Sequence, residues 1–108
     1  MAYDLKLAER IRSELDGIPV VEKKMFGGVG FLLNGNMACG VNKKDLLVRV
    51  DPEKHVALLK KPHVRPFDMT GRPMKGWLVV DAEGVKTAKQ LSGWVKEGVE
   101  FAATLPAK

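Results

Sequence analysis

Val29-Gly30-Phe31-Leu32-Leu33-Asn34-Gly35-Asn36-Met37-Ala38-Cys39-Gly40-Val41 is a pair of apolar runs set around Asn-Gly. That dipeptide accepts the positive φ angles of the tight turns whose twist matches paired strands, so the stretch predicts a β-hairpin. Its register has two readings. A two-residue turn sets Phe31 opposite Ala38, and a three-residue loop sets Phe31 opposite Cys39. Side chains alternate across a strand, so the choice decides which face Cys39 occupies.

Working toward the N-terminus, Gly27-Gly28 interrupts, and Val20 to Phe26 is extended, with Val21 and Met25 on one face and Glu22 and Lys24 on the other. This is the first strand. Beyond the Ile18-Pro19 break, Leu5, Ala8, Ile11 and Leu15 recur at helical spacing, and Gly17 stands where a left-handed cap belongs, which predicts an amphipathic helix over about Asp4 to Asp16. Toward the C-terminus, Lys43-Lys44-Asp45 makes a turn and Leu46 to Val50 a strand. Asp51-Pro52 then opens a helix running to about Lys60, because Asp accepts from the orphan amides and Pro fits the first helical position. After a long loop, Gly76 to Val80 is a fifth strand and Asp81 to Gly84 a turn. Thr87 with Gln90 forms a capping box for a last helix, about Ala88 to Leu105, that buries Leu91, Val95, Val99 and Ala102.

The order α-β-β-β-β-α-β-α, with turns too short for parallel crossovers among the first four strands, predicts an α+β fold. It is a single domain, an antiparallel five-stranded sheet with about three helices packed on it. Leu46 to Val50 and Trp77 to Val80 are apolar at nearly every position, so both faces of those strands need cover while three helices most simply cover one. A second subunit in a two-fold homodimer is the expected cover, with bent strands or the long loop as other ways to supply it.

The chain's 108 residues and 45% apolar content allow one self-sufficient core. One cysteine excludes an internal disulfide, and Cys39 with His55 and His63 cannot assemble the usual four-ligand zinc site, so no metal and no cofactor is expected. No signal peptide or membrane span is apparent, which leads to the expectation of a cytoplasmic protein with no membrane contact. Lysines and arginines number 18 against 13 acids, a net charge of +5. Between Lys54 and Lys75 stand Lys54, Lys60, Lys61, Arg65, Arg72 and Lys75 against Asp68 alone, so this one stretch equals the charge of the whole. Such a field attracts anions, acidic protein surfaces or nucleic acid; cations that merely keep a loop solvated are the plain alternative.

Lys61 to Lys75 shows no helical or strand period, and Lys61, Arg65 and Arg72 each precede a proline, which restricts them to extended backbone. A stiff loop with pre-positioned charges follows, and Lys61, Arg65, Arg72 and Lys75 are the candidate anion- or partner-binding residues. Phe67, Met69 and Met74 read as pins to the core, with ligand contact as the alternative. Gly27, Gly28 and Gly30 do not make a phosphate loop, because Phe31-Leu32-Leu33 and a hairpin follow where Lys, Ser or Thr and a helix are required; a bulge or close backbone packing accounts for them better. Cys39 sits among small apolar neighbours and reads as core, not nucleophile. His55 reads as an exposed or satisfied helical histidine, and Asp45, Asp51, Asp68 and Asp81 as turn and cap residues, so no general acid and base pair stands out. Trp77 and Trp94 read as core or dimer contacts, and no RNP-like pattern or recognition helix is present.

Two stretches, Lys23-Lys24-Met25-Phe26-Gly27-Gly28-Val29-Gly30-Phe31-Leu32-Leu33-Asn34-Gly35-Asn36-Met37 and Gly71-Arg72-Pro73-Met74-Lys75-Gly76-Trp77, occur with the Tyr3 to Arg12 helix and the Trp94-Val95 helix. Together they resemble the N-terminal domain of the TfoX/Sxy family, named for regulators of bacterial competence for DNA uptake. The resemblance implies one α+β domain of the secretion-chaperone-like kind over residues 1–108, without the second, C-terminal domain that full-length regulators carry. It brings no catalytic residues. Lys23, Lys24, Phe26, Gly27, Gly28 and Trp77 match its motifs without a known task, as do Arg72 and Lys75. The expectation that follows is a small, non-enzymatic regulatory or interaction module, linked to competence and transcriptional regulation as the family name implies, whose basic loop 61–75 engages an acidic partner. Sequence-tolerant nucleic-acid binding is the first alternative, and a small anionic-metabolite binder or enzyme the second.

Overall fold

The computed structural model describes residues 3–25, 28–67 and 75–107. Helix α1 spans Leu5–Glu14, and the Asp4 carboxylate caps it by accepting from the amides of Lys6 and Leu7 at 2.9 and 3.1 Å. Gly17 takes φ +85°, the left-handed conformation that ends the segment without a Cβ penalty. The buried stripe is Leu7, Ala8, Ile11 and Leu15, while Leu5 is exposed. Strands β1 (Val20–Met25), β2 (Gly28–Leu33), β3 (Asn36–Asn42) and β4 (Asp45–Arg49) form an antiparallel meander. Asp51 caps a short 3-10 turn, Pro52–Lys54, that leads into α2, His55–Leu59. Strands β5 (Val64–Pro66) and β6 (Trp77–Val80) follow, then a second 3-10 turn at Ala82–Val85 and α3, Ala88–Ala103. The Thr87–Gln90 capping box at the head of α3 is formed as the sequence indicates.

The sheet has six strands, not five, in the order β1-β2-β3-β4-β6-β5 with every neighbouring pair antiparallel. The additional strand lies inside the segment expected to be a structureless loop. Val64–Pro66 is too short to show a period, yet the residue before a proline is already biased to extended backbone, and Arg65 and Pro66 pair with Val79 and Leu78.

The central hairpin combines both candidate registers. Asn34 (φ +53°) and Gly35 (φ +82°) make a two-residue turn that pairs Leu33 with Asn36 and Leu32 with Met37. A β-bulge then absorbs Ala38, so that Phe31 lies opposite Cys39 after all. Phe31, Cys39 and Val41 therefore face the main core, while Ala38 joins Leu33 and Ala102 in a small satellite cluster.

All three helices lie on one sheet face. Their buried residues Leu7, Ile11, Leu58, Leu91, Trp94 and Val95 share a core with Val29, Phe31, Val41, Leu46, Val48, Leu78 and Val80. In β1 the alternation holds, with the face of Glu22 turned inward: Val20 packs toward the core, and Val21 is 67% exposed. Glu22, on the face of Val20, receives a bidentate contact from Arg12 of α1 at 2.7 and 2.8 Å. On the helix-free face, Leu47 and Val79 are 5% and 7% exposed within the single chain. Register and alternation place Asp45, Arg49, Arg65 and Trp77 on the same face around them.

Two polar clasps close the fold. Arg10 Nη2 donates to the carbonyls of Val85, Lys86 and Thr87 at 2.8, 3.2 and 3.4 Å. The buried Asn36 side chain donates to the Pro106 carbonyl at 2.9 Å, holding the end of the described chain against the hairpin.

Candidate functional site

Lys61 and Arg65, two of the four candidate cations, lie on different faces of the sheet. Lys61 lies past the end of α2, on the helix side, with its ammonium 5.4 Å from the centre of the Trp94 ring. Arg65 stands on β5, where Val64 turns to the core and Arg65 to the opposite face, and its guanidinium meets Asp45 of β4 at 2.6 Å. Lys75 is exposed and directly precedes Gly76, and Arg72 lies outside the described residues. The structure therefore separates Lys61 from Arg65 by the thickness of the sheet and commits Arg65 to an ion pair. Lys54 is likewise engaged, 3.6 Å from Glu97 of α3. Lys60, Lys61 and Lys75 are exposed and in no ion pair among the described residues.

The family-motif residues are dispersed. Lys23 and Lys24 are exposed on the outermost strand β1, opposite Gly30 and Val29. Trp77 is half-buried on β6, beyond three intervening strands, with Phe67 at 6.3 Å between ring centres and the Arg49 guanidinium 5.3 Å from its own. Arg49 also lies 5.6 Å from the Phe101 ring, so it fills the space between two aromatic rings. Phe26 and Gly27 lie outside the described residues, as do Met69 and Met74. Gly28 is explained by close approach: a Cβ there would be 1.9 Å from the Val41 carbonyl oxygen.

The remaining candidates are structural. Burial pushes the Cys39 thiol up to about 12, so it holds its proton and is no nucleophile at neutral pH. His55 is buried, and its Nδ1 accepts from the Gly76 amide at 3.0 Å. Asp45, Asp51 and Asp81 act in an ion pair and two caps. Among the described residues no cluster of metal-ligating side chains occurs, and no helix is long and apolar enough to cross a membrane.

What sequence reading missed is a cavity of about 520 Å³ on the helix side. The turn after α2 supplies Lys61 and His63, and α3 supplies Lys89, Gly93, Trp94 and Glu97. His63 adopts φ +66°, which turns its carbonyl to the Asp81 amide at 2.9 Å and brings its Nδ1 to 3.4 Å from the Asp81 carboxylate. The only sequence signals were Gly93 inside a helical pattern and Trp94 beside the apolar stripe.

The fold has a known counterpart. A crystal structure of a structural-genomics protein from Pseudomonas syringae is similar, with a TM-score of 0.65 at 16% identity, covering 88% of this chain and 97% of that one. At that identity the likeness concerns the fold. No curated protein matches the chain. The family model described as the TfoX N-terminal domain matches residues 15–102, from the end of α1 to the end of α3. With the six-stranded sheet, α2 and nearly all of α3 inside that match, the chain belongs to the TfoX N-terminal domain family.

Proposed function

We propose that this small regulatory module works by docking, not by catalysis, and that its partner is an acidic protein surface met by Lys60, Lys61 and Lys75, with Arg72 of the same segment. The family supports a regulatory role. The observation that carries the docking reading is the division of labour among the cations of residues 54–75. Lys54 and Arg65 are consumed by Glu97 and Asp45, whereas Lys60, Lys61 and Lys75 stay exposed without counter-charges among the described residues. Exposed unpaired lysines add to association rate and partner choice more than to fold stability. Arg65 belongs to the scaffold in this reading.

The test is affinity capture with the wild-type chain and a Lys60→Gln/Lys61→Gln/Lys75→Gln variant, followed by mass spectrometry. An acidic protein retained by the wild type, released by salt and lost from the variant is the expected result. Equal retention by both baits sinks the reading. Material removed by nuclease, with affinity falling steeply with salt, would replace the acidic protein by nucleic acid.

A further inference from the structure

Gly93 has no packing reason to be glycine. It sits in the middle of α3, where glycine costs about 1 kcal/mol relative to alanine, and a Cβ built there meets nothing within 4 Å. Two nearby glycines behave otherwise: a Cβ on Gly98 would be 2.3 Å from the Ala38 carbonyl oxygen, and one on Gly84 would be 2.5 Å from Val80 Cγ1. What Gly93 does face is the cavity of about 520 Å³, into which any side chain at that position would project. A volume in this range suits a small ligand.

The polar groups around the cavity are mostly spent. Thr87 and Gln90 satisfy each other in the capping box, Glu97 is held by Lys54, and His63 faces Asp81. Lys61 and Lys89 remain, both lining the cavity and neither in an ion pair among the described residues. The Trp94 ring beneath the Lys61 ammonium restrains that charge without neutralising it. Two uncompensated cations, an apolar wall and a position kept free of a side chain thus converge on one hollow.

We propose that this cavity binds a small organic anion, with its phosphate or carboxylate head between Lys61 and Lys89 and a flat apolar body along Gly93 and Trp94. The site adjoins the docking surface and has Lys61 in common with it. Shedding an ordered ammonium's water is repaid by the charge-assisted contact, and Gly93 allows the body to approach the helix backbone.

The experiment is an NMR titration of the full ¹⁵N-labelled chain at low salt with 1-naphthyl phosphate, 2-naphthoate, 1-naphthol and inorganic phosphate. One or both aromatic anions should shift the amides of Lys61, His63, Lys89 and Gly93 and the Trp94 indole; which of the two binds tighter identifies the head group. Naphthol and inorganic phosphate, each half of the ligand, should bind at least about tenfold more weakly. Gly93→Leu should abolish the shifts, and Lys89→Gln should weaken binding by about three- to tenfold. Gly93→Ala should melt a few degrees higher than wild type, which shows that the position tolerates a side chain. Absence of shifts at about 10 mM anion, shifts spread evenly over all lysines, or unchanged binding by Gly93→Leu would each overturn the proposal. Lys60→Gln/Lys75→Gln should leave the titration unchanged while weakening partner capture, so the two readings can fail separately.

Discussion

His55 shows how a residue with functional chemistry becomes structural. Its Nδ1 lone pair accepts the Gly76 amide, and Gly76 in turn, at φ +89°, offers its carbonyl to the Val50 amide at 2.8 Å. The imidazole thereby fixes the point where the basic segment rejoins the sheet. His55→Ala should cost about 2–4 kcal/mol in urea unfolding, from a new cavity and a stranded buried amide; a loss below about 0.5 kcal/mol would contradict this account. Arg12 and Glu22 give a pH-dependent counterpart. The hydrogen bond from Arg12 holds the Glu22 carboxyl below its usual range and raises the guanidinium in turn. A carboxyl lowered by folding adds stability above its unfolded value of about 4.3 and loses it as pH falls through the lower folded value. Both side chains are near 40% exposed, so the contribution is under about 1 kcal/mol. Melting curves of Glu22→Gln and wild type should differ at pH 6 to 7 and converge near pH 2.

At the scale of elements, the bulge in β3 decides which residues α3 can reach. Inserting Ala38 as an unpaired residue pushes its carbonyl toward the helix, and Gly98 is the position that receives it. Gly98→Ala should therefore destabilise by about 1–3 kcal/mol despite the better helix propensity of alanine, as read from chemical denaturation. Gly93→Ala, five residues earlier on the same helix, should move stability in the opposite direction. The hairpin itself was visible in Asn34-Gly35, but its register was not, because a two-residue turn and a bulge together satisfy a pattern that each alone leaves ambiguous. β5 was hidden for a different reason: three residues carry no period, and only the extended bias of Arg65-Pro66 marked it. The caps at Asp4, Asp51 and Thr87 were legible because their chemistry is local.

For the molecule as a whole, the class and the placement of helices on an antiparallel sheet followed from element order and short turns. The candidate site followed much less. Charge arithmetic located the cations of residues 54–75 but could not tell which would be consumed, since Asp45 and Glu97 are remote in sequence from Arg65 and Lys54. The cavity was illegible because it is formed by two segments about thirty residues apart. A two-fold partner was expected from strands apolar on both faces; within one chain Leu47 and Val79 are already 5% and 7% exposed.

The Arg10 clasp has a mechanical corollary. One guanidinium nitrogen grips three successive carbonyls, the last of them at Thr87, which borders the hollow beside Gly93. Helix α1 is thereby strapped to the lip of that hollow across 77 residues of sequence. Filling the hollow with 1-naphthyl phosphate should slow deuterium uptake throughout α1, and cutting the strap by Arg10→Ala should confine the slowing to α3. The first helix would then serve as a strut that reports whether the hollow is occupied.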